Sequence, residues 1–230
     1  MEYKDYFSLN EHDWEKEIRK DDAKVAAYIS ELPNYIDLPG EDAILMRTIR
    51  RRLGLEKDAM QDSEWEELQE GEEADAMDLV SFNVDHNWRE APGGAVYHNC
   101  NILARDLCLS AATAPKKEIR PRIMRVLTLY GQLMARSADL IEMSLQMSHA
   151  AFDKEEAEIP EDLRIAIVKR LLFYQNKLTR ELRTLEEEVP EMTPLLDVHL
   201  DASGMMHDYL ISLLYSIREN KKANDEDFPF

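Results

Sequence analysis

Residues 119–152, IRPRIMRVLTLYGQLMARSADLIEMSLQMSHAAF, decide the fold. Ile119, Ile123, Val126, Leu127, Tyr130, Leu133, Met134, Ile141, Leu145 and Phe152 recur every three or four positions, the period of one helix face. A stripe that long needs partners to cover it. They lie on both sides. Upstream, Gly94 to Thr113 carries Val96, Tyr97, Cys100, Leu103, Leu107, Cys108 and Ala111 before Ala114-Pro115 breaks the pattern. Downstream, Pro160 opens a third helix with Leu163, Ile167, Leu171, Tyr174, Leu178, Leu182 and Leu185, which Val189-Pro190 ends. Thr193-Pro194 starts a fourth, with Leu195, Val198, Met205, Met206, Tyr209, Leu213 and Ile217. Four helices with short connections predict an all-α, antiparallel four-helix bundle over residues 94–220. Gly131 and Gly204 fall mid-helix, where glycine costs about 1 kcal/mol against alanine, so each is expected to mark a close backbone approach.

The front of the chain, residues 1–93, reads as a smaller region of short helices. Five of the seven glycines and all three tryptophans precede residue 95. Asn10 to Lys20 and Asp21 to Leu32 suggest two helices, the second stopped by Pro33. Glu41 to Leu53 suggests another, with Pro39-Gly40 before it, acids in its first turn, Arg50-Arg51-Arg52 in its last and Gly54 as cap. Asp58 to Asp78 then holds ten acids and no Lys or Arg. Ser63 and Glu66 fit a capping box, and Trp65, Leu68, Met77 and Leu79 give a weak apolar face. Its exposed acids, Glu64, Glu66, Glu67, Glu70, Glu72, Glu73 and Asp75, are either a solvated helix face or an acidic interaction surface that acts as an inhibitor or nucleic-acid mimic. Only Leu79 to Val84 hints at a strand.

Charge and composition narrow the function classes. With 28 Lys and Arg against 47 Asp and Glu, the 230-residue chain carries a formal charge of −19. That field opposes general binding to DNA or RNA. No stretch is long and apolar enough to span a bilayer, and the start has no secretory h-region, so a cytoplasmic setting is expected and no membrane partner. Cys100 and Cys108 are eight apart on one helix, about 12 Å of rise, too far to pair, and both are expected in the core.

Catalytic and metal patterns are thin. A ferritin-like centre needs inward Glu-x-x-His pairs, and the sequence holds none. The nearest features are His149 with Asp153, His199 with Asp201, and His207 with Asp208. His98 and His149 are expected near one pole, where they and Asp153 form the weak metal candidate. Gly-x-Ser-x-Gly, phosphate-loop and Cys-x-x-Cys motifs are missing, and no cofactor is expected. Glu66-Glu67-Leu68-Gln69-Glu70 superficially resembles the first metal motif of all-helical nucleotide pyrophosphohydrolases. That family also needs a Glu-x-x-Asp on the following helix, and the only later match, Glu72 to Asp75, is too close. A basic pole is clearer: Lys116, Lys117, Arg120, Arg122 and Arg125 open the second bundle helix, and Lys177, Arg180 and Arg183 lie near the end of the third. It either binds phosphate or an acidic peptide, or is neutralised by the acidic segment of the same chain.

The last ten residues, 221–230, read as an acidic tail. Asp225-Glu226-Asp227-Phe228-Pro229-Phe230 resembles the acidic tail tip of bacterial single-stranded-DNA-binding proteins, position for position. The helical body departs from those β-rich proteins, so DNA binding is not implied. The resemblance implies the tail's other role, docking onto replication, recombination and repair proteins. In such a tail the terminal Phe ring fills an apolar pocket, its carboxylate meets an Arg, and upstream acids meet a basic rim. Pro229 stiffens the backbone and lowers the entropy lost on binding. The expectation is a non-catalytic adaptor with protein partners. Its oligomeric state is not legible.

Overall fold

A computed structural model describes residues 9–35, 41–54, 88–113, 119–150 and 160–227. Among these the chain is all-α, with no strand. The helices are α1 Glu11–Tyr35, α2 Glu41–Leu53, α3 Gly94–Thr113, α4 Arg120–Ala150, α5 Glu161–Glu188 and α6 Thr193–Asp227, with a 3-10 turn Pro190–Met192 before α6. The chain divides into two units, one of Met1–Arg19 with Arg89–Phe230 and one of Lys20–Trp88.

In the first unit α3 packs on α4, α4 on α5 and α5 on α6, while α3 and α6 touch only slightly. The stripes read from sequence supply the core: Val96, Cys100, Leu103 and Leu107 on α3, Ile123, Val126, Tyr130 and Leu133 on α4, and Ile167, Leu171, Tyr174, Leu178, Leu182 and Leu185 on α5 are all buried. Each fully buried Leu is worth about 2 kcal/mol relative to exposure, so this stripe is the main force closing the bundle. Ile18 joins the same core and Trp14 packs against it. Glu11 adds ion pairs to Lys169 of α5 and, at 3.8 Å, to Arg218 of α6.

Two features correct the reading of the front. Asn10 to Lys20 and Asp21 to Leu32 form one helix, not two, and Pro33 does not stop it, since it runs to Tyr35. Asn10 Oδ1 caps it by accepting from the backbone N–H groups of His12 (2.9 Å) and Asp13 (3.1 Å). No Gly or Pro interrupts residues 20–23, so two acids do not suffice to stop it. Helix α2 matches its expected bounds, and Gly54 closes it at φ +70°, a left-handed conformation that glycine adopts without strain. Within the second unit, Ala27, Leu45 and Ile49 are buried, and Arg52 Nη1 donates to Ser30 Oγ (2.8 Å) and Glu31 Oε1 (2.9 Å).

The expected mid-helix approach at Gly204 does not occur, since a Cβ built there meets nothing within 4 Å. A close approach does fall at Gly93. Its φ is +91°, and an added Cβ would lie 2.8 Å from the carbonyl oxygen of Ser137. That contact sets the start of α3 against the middle of α4.

Candidate functional site

Helix α6 buries two polar side chains and runs into the acidic C-terminal residues. The core-facing line is Leu196, His199, Ser203, Met206, Leu210 and Ile217. Val198 and Met205, expected in the core, are exposed instead. Cys108 likewise faces solvent, while Cys100 is buried. Two polar residues, His199 and Ser203, occupy core positions and break the apolar period, so the buried face of α6 is rotated from the one its apolar residues mark.

Those polar residues are partnered across the bundle. The Tyr130 hydroxyl and His199 Nδ1 share a 2.7 Å hydrogen bond, both side chains fully buried. His199 Nε2 has no partner among the described residues. Burial lowers the His199 pKa, opposed in part by the charge of Asp106 on α3. Cys100 Sγ lies 3.7 Å from Met206 Sδ, and burial pushes its thiol up to about 12, leaving it a protonated packing group rather than a nucleophile. Between α5 and α6, Gln175 Nε2 donates to the Ser203 carbonyl (2.7 Å) and hydroxyl (3.0 Å), and Thr179 Oγ1 meets Ser203 Oγ at 2.7 Å. These groups specify how α6 is seated on α5.

The far end of α6 is clamped to α5. Lys221 Nζ donates to both carboxylate oxygens of Asp162, at 2.7 and 2.8 Å. Beyond it the helix continues to Asp227, so Asp225, Glu226 and Asp227 have helical backbone where the sequence suggested a tail already outside the helix. Six residues add about 9 Å of rise past the clamp. Phe228, Pro229 and Phe230 lie outside the described residues, as does the acidic segment with Glu64, Glu66, Glu67, Glu70, Glu72, Glu73 and Asp75.

At the expected basic pole the start of α4 meets the end of α5, and Lys116 and Lys117 lie outside the described residues. Arg122 of α4 bonds Glu188 through Nε at 3.0 Å and through Nη2, and reaches Glu181 of α5 at 3.5 Å. Neutralisation of Arg122 therefore comes from α5. The bond to Glu188 holds its guanidinium more firmly charged. Arg120, Arg125, Arg180 and Arg183 are exposed.

The histidines do not assemble. Gly93 sits against Ser137 and Leu140. His98 is five residues further along α3, and His149 is nine or more beyond that crossing in the opposite sense on the antiparallel α4. Their backbones are thus about 20 Å apart along the bundle. Asp153 lies outside the described residues, and among these no three His, Cys, Asp or Glu side chains are grouped to hold a metal. His207 Nδ1 is 3.4 Å from Asp208 Oδ1 on an exposed surface. No helix among the described residues is long and apolar enough to cross a membrane.

No protein-family model, curated protein or solved structure matches this chain.

Proposed function

We propose that the chain is a non-catalytic adaptor or regulator, working in the cytoplasm, that docks through Asp225–Phe230 onto DNA replication and repair proteins. One observation carries the reading: three acids followed by Phe-Pro-Phe, on a helix clamped at Lys221 by Asp162. The clamp sets where the tip leaves the bundle. Three acids at the negative end of a helix dipole weaken its last turn, which favours release of the tip into an extended form. A receptor then supplies an apolar pocket for Phe230, an Arg for its carboxylate and a basic rim for Asp225, Glu226 and Asp227. The reading requires Phe230 to carry a free carboxylate.

The test is fluorescence titration of peptide 224–230 against repair and replication proteins that bind such tips. Peptides lacking Phe230 or ending in a carboxamide run beside it. Micromolar binding that falls tenfold or more in both altered peptides is expected. Equal binding by all three, or binding by none, contradicts the proposal.

A further inference from the structure

The seam between α3 and α6 carries a surface that the tail does not use. Two contacts fix the register of these antiparallel helices: the Gly93 N–H donates to the Tyr209 hydroxyl at 3.3 Å and Cys100 meets Met206. Further along, the charge of Asp106 acts on His199. Level with these crossings stand four exposed apolar side chains: Ile102 (45%) and Leu109 (62%), two turns apart on α3, and Met205 (73%) and Val198 (58%), two turns apart on α6. At 100° per residue, exposed Arg105 stands on the outer flank of the α3 pair. Exposed Asp201 and Asp208 stand on the outer flank of the α6 pair. Across the two helices the face reads base, apolar, apolar, acid.

Such a face complements itself. A two-fold axis parallel to the helices lays α3 of one copy on α6 of the other at the same level. Met205 then meets Ile102, Val198 meets Leu109, and Arg105 meets Asp201. We propose that the α3–α6 face is a homodimer interface, with a second copy of this chain as its occupant. The twenty residues of α3 span about 30 Å and two helices about 20 Å in width, a flat footprint of roughly 600 Å² that suits a modest dimer. Asp106 stands between the apolar pairs, close to the axis, so the two copies of Asp106 oppose each other and weaken the contact.

Sedimentation of the full chain from about 1 to about 200 µM brackets the micromolar dissociation constant expected for such a footprint. A concentration-dependent dimer is expected. Met205→Asp should weaken it tenfold or more, Arg105→Asp should weaken it, and Arg105→Asp with Asp201→Arg should recover it. Asp106→Asn should tighten it. These positions are exposed, and circular dichroism verifies that each variant keeps its helicity. A monomer at every concentration overturns the proposal and leaves the face to a different protein. A dimer indifferent to Met205→Asp overturns it too, since the contact then lies elsewhere.

Discussion

Helix α6 makes two seams, and they are built in opposite ways. Against α5 it is closed: Leu178, Leu182 and Leu185 are buried beside it, Gln175, Thr179 and Ser203 satisfy one another, and Lys221 locks onto Asp162. Against α3 it is more open, with a thiol–thioether contact, a hydrogen bond from the Gly93 N–H to Tyr209, and apolar side chains left in water on both flanks. One helix thus buries polar groups and exposes apolar ones. A closed seam fixes the fold, and an open one offers surface to a partner.

The closed seam should be the costlier to break. Leu182→Ala leaves a cavity among fully buried side chains and should lower stability by about 3 kcal/mol in urea denaturation. A loss under about 1 kcal/mol would mean that the seam collapses around the gap. The adjacent methionines give the sharpest contrast: Met206→Ala, in the core, should cost about 2 kcal/mol or more, whereas Met205→Ala should stay within about 0.5 kcal/mol at concentrations where the chain is monomeric. Equal costs would dissolve the distinction between inner and outer lines. Removing the phenol in Tyr130→Phe strands His199 Nδ1 and should cost about 1.5 kcal/mol, with little change in helicity.

The same buried groups set a pH window. His199 is held neutral, with its pKa below 6.5, so the unfolded chain binds more protons and stability falls as pH drops below about 6.5. Cys100 is held protonated, with its pKa raised from 9.0 to about 12, so stability is complete below 9.0 and is lost as pH climbs above it. Tyr130 titrates upward for the same reason and adds to the alkaline loss. Denaturation midpoints should therefore be flat from about pH 6.5 to about 8.5 in these two respects, and His199→Gln should reduce the acid limb. An unchanged acid limb in that variant would show that exposed carboxylates dominate it.

Much of this was legible in the chain. Regular stripes in α4 and α5 announce their own buried faces, and Val189-Pro190, Thr193-Pro194 and Gly54 mark ends that the structure keeps. What misled was local chemistry overruled by context. Asp21 and Asp22 look like a helix start, yet an uninterrupted backbone carries α1 through them. His199 and Ser203 fall outside any count of apolar residues, yet each finds a partner across the bundle, at Tyr130 or at Gln175 and Thr179. Such pairings join residues 24 to 69 positions apart and leave no trace in a period count. The tail's helical continuation was hidden because Lys221 gains its reason to be ordered from Asp162, on another helix. His98 and His149 looked adjacent because the sequence gives the direction of α3 and α4 but not their stagger, which Gly93 sets.

The central claim is that the bundle is a scaffold and the tip of α6 is its binding element. The most direct measurement is a competition titration with the full chain. The chain, and a form lacking residues 225–230, would each displace labelled peptide 224–230 from a tip-binding repair protein. The account predicts displacement by the full chain at micromolar concentration and none by the shortened form, with both forms melting alike. Displacement by both forms, or by neither, would contradict it.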